Sequence, residues 1–267
     1  MTLNGWRSVL YGVKGRVATI TLNRPSRLNA IDRYMPEEIN RAVQQANNDD
    51  NVHVIMLTGA GRSFCSGYDL KDFSEGQKVG ANSTNQSMPW DPTVDYKLMK
   101  GFTDNYFSLW RSYKPTIAKV RGHSVAGGSD IALCCDLVVM AEDALIGYPP
   151  ARVWGCPTTA MWVYRLGPEK AKRMLLTGDL ITGKKAEQIG LISECVPESQ
   201  LDDHVDALCH RISSVPRNQL MMQKMVVNQA IENMGLSSTQ TLATFFDGVT
   251  RHSPEGTYIY VCAHIYI

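Results

Sequence analysis

Short β-type runs separated by helical segments constrain this chain more than any other feature. VATITL at 17–22, VHVIMLTG at 52–59, TIAKVRG at 116–122 and DLVVMAE at 136–142 have the length and β-branched content of strands. Between them Met35, Ile39, Ala42, Val43 and Ala46 follow the three-four spacing of an amphipathic helix, and Phe102, Tyr106, Leu109 and Trp110 repeat it. Repeated strand and helix units predict an α/β core. From about residue 157 the pattern turns helical, with Gly167-Pro168, Thr182-Gly183 and Pro197 as punctuation and amphipathic segments at 200–213 and 217–234. The expected division is therefore a core over 1–200 that carries the ligand site and a helical region over 201–267. A chain of 267 residues with 44% hydrophobic and 20% charged residues can bury a core of that size.

Two stretches break the pattern. Residues 74–92, rich in Gly, Asn, Ser and Gln, read as a mobile loop over a ligand. The last dozen residues, GTYIYVCAHIYI, are apolar and end abruptly; they read as a contact with a partner subunit or as a frameshift artefact.

Charge narrows the partners. Lys+Arg 27 against Asp+Glu 26 leaves a formal +1, which gives no footprint for nucleic acid or a membrane surface, and neither partner is expected. The opening MTLNGWRSVLYGVKG lacks the apolar run of a signal peptide, and no apolar run nears the roughly 20 residues of a membrane helix, so a cytoplasmic protein is expected. The 7 cysteines form an odd set without a CxxC pair, so neither disulfides nor a metal are expected.

The chemistry concentrates in two glycine turns. In GHSVAGGSDIAL, 122–133, Gly127 and Gly128 leave the backbone amides bare, and Ile131-Ala132-Leu133 suggests that a helix starts there, with its positive end toward a ligand oxygen. Asp130, one turn in, can move a proton or can sit where the helix dipole favours negative charge. The second turn, FCSGYDL at 64–70, follows the strand VIMLTG. If the Tyr68 and Gly127 N–H groups point at one spot they form an oxyanion hole, in which one donor is typically worth about 3 kcal/mol of transition-state stabilisation. Each turn taken alone is also what a strand end needs for purely geometric reasons.

Together with NRPSRLNA at 23–30, VRGHSVAGGSDIALCCDLVVMAEDA and RLGPEKAKRMLLTGDLITGKKAEQIGLISECVP, these turns resemble the crotonase (enoyl-CoA hydratase/isomerase) superfamily over about residues 12–256. The resemblance implies a spiral of ββα units, a helical C-terminal region used for trimerisation, and a homo-trimer or homo-hexamer. It implies an acyl-CoA thioester substrate, with coenzyme A arriving as part of the substrate and no separate cofactor. The thioester oxygen would lie between the amides of Tyr68 and Gly127, while Arg27, Leu28 and Ala30, with Ser66, Tyr68, Asp69 and Leu70, would line the path of coenzyme A. Arg27 would meet phosphate as a fixed cation.

The family's hydratase pattern uses two glutamates. The first position holds Asp130; the second falls in IGYPPARVWG, on Pro150 or Ala151, and neither carries a proton. Hydration needs both an activated water and a proton for the α-carbon, so one carboxylate favours a double-bond shift, in which one group takes a proton and returns it. His123 and Tyr148 are accessory candidates, each with an ordinary structural reading, as a hydrogen-bonded loop histidine and a packed aromatic. A thioester hydrolase, a lyase and a catalytically weak acyl-CoA binder of the same fold are the alternatives. The pair His252 and Glu255 reads as the end of a late helix.

Overall fold

The computed structural model describes residues 5–73, 86 and 89–254. Most of the loop expected over 74–92, Glu255 and the tail at 256–267 lie outside the described residues. In chain order the elements are β1 (Val9–Lys14), β2 (Val17–Leu22), α1 (Met35–Asn48), β3 (Val54–Gly59), α2 (Leu70–Phe73), α3 (Pro92–Arg111), β4 (Thr116–Val120), β5 (His123–Val125), α4 (Gly127–Leu133), β6 (Leu137–Ala141) and β7 (Leu145–Gly147). There follow α5 (Met161–Leu166), α6 (Pro168–Thr177), β8 (Leu180–Thr182), α7 (Gly183–Gln188), β9 (Glu194–Val196), α8 (Glu198–Ser213), α9 (Arg217–Asn233) and α10 (Leu236–His252).

The main sheet runs β1-β2-β3-β4-β6-β9, with β1 and β2 antiparallel and every later pair parallel. Its centre explains its sequence: β3 is buried at every position and reads as the unbroken apolar run of a strand covered on both faces, whereas β2 alternates. α8 packs on β2, β3, β4, β6 and β9, and α1 packs on β1 and β2. Glu38 of α1 fixes that edge, because its buried carboxylate accepts the N–H groups of Arg7 (2.8 Å), Ser8 (2.8 Å) and Val9 (3.0 Å). Trp110 and Trp162 are buried, as large aromatics in a core of this size should be.

Three differences from the sequence reading have clear causes. β1, with Gly12 in its middle and mostly exposed side chains, gives no apolar alternation to find. A second sheet, β5-β7-β8, consists of strands of 3 residues each, too short to show a period. β4 stops at Val120 rather than continuing to 122, since Gly122 turns the chain at φ 61° and a Cβ there would stand 2.0 Å from the Arg62 carbonyl oxygen. The described cysteines are all free.

Candidate active site

The two glycine turns meet. On one side, Ile31 N–H donates to Gly67 O at 2.8 Å and Asp69 N–H donates to Ile31 O at 2.9 Å, a parallel bridge that pairs Ile31 with Tyr68. In such a bridge the N–H of the straddled residue points the other way. The second turn stands close by: a Cβ built on Gly67 would lie 2.8 Å from Ala126 Cβ and 3.6 Å from the Gly127 nitrogen. The segments are zipped by Cys65 N–H to His123 O (2.8 Å) and Val125 N–H to Cys65 O (3.0 Å). Neither Tyr68 N–H nor Gly127 N–H has a protein acceptor among the described residues. Ala126, at φ 53° and ψ −126°, turns the chain sharply from β5 into α4; a non-glycine residue held there stores on the order of 1–3 kcal/mol.

Asp130 follows within the first turn of α4 and is buried. Its Oδ1 accepts the Thr159 hydroxyl at 2.6 Å. Burial pushes its pKa up to about 8; the Thr159 hydrogen bond opposes the shift and the negative charge of Asp247 adds to it. The folded chain thus keeps a proton on Asp130 that the unfolded chain, titrating near 3.8, releases. Stability contributed by this residue is complete below pH 3.8 and is lost as pH rises toward 8. Asp130→Asn, which cannot ionise, is expected to show a Tm that gains on wild type as pH is raised from 5 to 8; a Tm difference independent of pH over that window would show that Asp130 titrates as an ordinary carboxylate.

The residues assigned to coenzyme A form one wall. Ser66 N–H donates to Leu28 O at 3.1 Å, which joins the strip 27–30 to the strip 66–70. Arg27 is exposed at the end of a 3-10 turn, Ala30 is buried and Leu70 is exposed. Asp69 serves the wall from inside: its carboxylate takes Arg24 Nη2 at 2.8 Å, and Arg24 also reaches Asp32 at 3.3 Å. The Tyr68 ring lies over Gly127, whose Cβ would stand 3.0 Å from Tyr68 Cε2, and its hydroxyl pairs with Tyr106 at 3.3 Å. Phe73 and Phe102 pack edge-on and tilted against the same ring.

The accessory candidates part company. His123 is exposed and its Nδ1 lies 3.4 Å from Ser63 Oγ, so the structure does not gather it with Asp130. Tyr148 is buried and donates to Cys156 O at 2.9 Å, close enough to Asp130 and Asp247 that both charges push its hydroxyl pKa up after burial has done so. Pro150 and Ala151 sit in the 3-10 turn Pro149–Arg152 and bring no proton carrier.

Asp247, on α10, is a residue that reasoning from the glycine turns missed. It is buried, its Oδ1 accepts Cys156 N–H at 3.1 Å, and its Oδ2 takes Arg251 at 2.6 Å. The available signal was a polar stripe, Gln240, Thr244, Asp247 and Arg251, at helical spacing.

A model of the enoyl-CoA hydratase/isomerase family matches residues 12–262. The chain belongs to the enoyl-CoA hydratase/isomerase family. Among its curated relatives, a protein of Dictyostelium discoideum named a probable mitochondrial enoyl-CoA hydratase is 31% identical over 222 residues, which cover 82% of this chain and 74% of the relative. A putative enoyl-CoA hydratase of Thermus thermophilus is 29% identical, covering 91% of this chain and 92% of that protein. Among solved structures, an enoyl-CoA hydratase from Mycobacterium smegmatis superposes with a TM-score of 0.92 at 43% identity, covering 98% of this chain and 91% of that one. An enoyl-CoA hydratase/isomerase from Xanthobacter autotrophicus gives a TM-score of 0.87 at 30% identity, covering 98% and 94%. The crotonase fold is thereby shown, and the chain is an enzyme of the hydratase/isomerase family. No helix among the described residues is long and apolar enough to cross a membrane.

Proposed function

We propose that this hydratase/isomerase family member binds an acyl-CoA and stabilises its thioester enolate between the Tyr68 and Gly127 amides, with Asp130 moving the proton at the α-carbon. The observation that carries this reading is the close approach of Gly67 to the Gly127 nitrogen, with both donors unclaimed by protein among the described residues. Negative charge builds on the thioester oxygen when the α-proton leaves, and donors fixed in advance lower that barrier without reorganising. Arg27, Leu28, Ala30, Ser66 and Leu70 line the coenzyme A path, with Asp69 bracing it through Arg24. No prosthetic group is needed, because coenzyme A comes with the substrate.

Of the family's two acid positions only Asp130 is a carboxylate. Proton transfer at the α-carbon, and the double-bond shift built from it, is the chemistry these groups support by themselves. The lost second position favours one rival, a binder with little turnover. The test offers the enzyme 3-enoyl-CoA and 2-enoyl-CoA and follows the exchange of the α-proton of butyryl-CoA in D₂O. Exchange and double-bond shift are expected; acyl-CoA protection against heat without either reaction would select the binder.

The division at residue 200 and a homo-trimer or homo-hexamer belong to the same reading. Support comes from Met222, Met225, Val226, Leu242, Phe245 and Phe246, all exposed on α9 and α10 of the single chain.

A further inference from the structure

The segment that lacks the family's second acid has a carboxylate beside it, delivered by a different element. A Cβ built on Gly155 would stand 3.5 Å from Pro150 Cβ, 3.2 Å from Asp247 Oδ1 and 3.6 Å from the Tyr148 hydroxyl. Asp247 thus flanks the same glycine as Pro150, the position where a proton carrier is missing. The placement is braced on both sides: Gly155 N–H donates to Thr250 Oγ1 at 2.8 Å and Cys156 N–H donates to Asp247 Oδ1 at 3.1 Å, so α10 is tied to this loop. α10 in turn lies close on α3, where a Cβ on Gly248 would meet Asp95 Cβ at 3.0 Å.

The surroundings set the two carboxylates apart. Asp130 has a hydroxyl for a partner; Asp247 has a guanidinium, Arg251, at 2.6 Å. Asp95 does not take Arg251 away, because Trp90 Nε1 (2.6 Å), Gln86 Nε2 (2.9 Å) and His252 Nε2 (2.9 Å) already meet its Oδ2 and Arg251 stands 3.6 Å from its Oδ1. Burial leaves the Asp247 pKa above the usual carboxylate value, with the Asp95 charge adding to the rise and Arg251 and the Cys156 N–H opposing it. Of the two, Asp247 is the one beside a fixed cation, which favours its ionised, proton-accepting form relative to Asp130. One turn and two turns before Asp247 on the same buried face, Thr244 Oγ1 and Gln240 Nε2 have no hydrogen-bond partner among the described residues, as expected where a polar ligand or water belongs.

We propose that Asp247, carried into the site by α10, is the second proton-transfer carboxylate of this enzyme and stands in for the acid absent from Pro150 and Ala151. The inference rests on the acyl-CoA reading above and extends it from a proton shuttle to the addition of water. In that step Asp247 accepts a proton from water as the water oxygen bonds to the β-carbon. The π electrons of the enoyl group move onto the thioester oxygen, and the α-carbon then takes the proton that Asp130 carries. Asp247 releases its proton to solvent and Asp130 regains one, so the sum is enoyl-CoA plus water giving 3-hydroxyacyl-CoA.

The experiment compares wild type, Asp247→Asn and Asp247→Glu in two assays, hydration of crotonyl-CoA and α-proton exchange of butyryl-CoA in D₂O, with thermal unfolding measured alongside. Asp247→Asn is expected to lose about 100-fold or more in kcat for hydration while exchange, which needs the oxyanion hole and Asp130, stays within a few-fold. Asp247→Glu, which restores a carboxylate, is expected to recover part of the hydration. The alkaline and acid limbs of the hydration profile should reduce to one in Asp247→Asn, with Asp130, Asp95, Arg251, His252, Tyr148, Tyr68, Tyr106 and Cys156 the other titratable and charged groups around the site among the described residues. Hydration unchanged in Asp247→Asn, or a wild type that exchanges but never hydrates, would overturn the role of Asp247 and leave the acyl-CoA reading standing. A wild type without exchange would sink that reading itself. Should Asp247→Asn unfold, Asp247→Glu decides: a folded glutamate variant with no hydration above that of an Asp130→Asn control overturns the proposal.

Discussion

Asp130→Asn is expected to lower turnover of an enoyl-CoA by about 10²- to 10⁴-fold, the range that one well-placed acid or base contributes. Affinity for acyl-CoA should be kept, because the amide remains the size of the carboxyl and can still accept the Thr159 hydroxyl, which lies 2.6 Å from Oδ1 in the native chain. The pH dependence carries the same expectation in a second form. When Asp130 acts as base at the α-carbon it must be ionised, so kcat/KM for the double-bond shift should climb as pH rises through about 8. For hydration Asp130 must hold its proton, and the rate should fall through the same value. Steady-state kinetics over that range check both; turnover untouched by Asp130→Asn would remove Asp130 from the chemistry.

Gly128→Ala is expected to disable the site through the backbone rather than through a side chain. A Cβ there would stand 2.3 Å from the Cys65 carbonyl oxygen and 2.9 Å from its carbonyl carbon, and a main-chain carbonyl held by Val125 N–H cannot step aside. Relief requires the two turns to separate, which moves the Gly127 N–H away from the Tyr68 N–H. Overpacking of this kind costs about 3 kcal/mol at the upper end of its usual range. A lower midpoint in urea together with near-complete loss of turnover should result; a variant as stable and as active as wild type would mean that the turns do not approach each other as described.

How much of this was legible depended on how local the signal was. β2, β3 and α1 follow from the apolar period of their own residues, and the start of α4 at Gly127 follows from bare glycines ahead of an apolar run. The glycines at 67, 127 and 128 carried the site because their need is steric: a Cβ would meet the Cys65 carbonyl at Gly128, Ala126 Cβ and the Val125 carbonyl at Gly67, and the Ile31 and Tyr68 side chains at Gly127. What stayed hidden is set by contacts between distant segments. The Arg24 partner of Asp69 and the exposed place of His123 beside Ser63 both come from segments far apart in the chain. Asp247 looks like any helix acid, and only the packing of α10 onto α3 and onto the loop around Gly155 brings it to the glycine that Pro150 also flanks.

If the amides of Tyr68 and Gly127 together hold one thioester oxygen, the carbonyl stretch of a bound acyl-CoA reports it directly. Infrared difference spectra of a thioester labelled with ¹³C at its carbonyl should show the band moving to lower frequency on binding to wild type, because two donors draw electron density onto the oxygen. A ligand shown to be bound, with its carbonyl band where it stands in water or at higher frequency, would contradict the account.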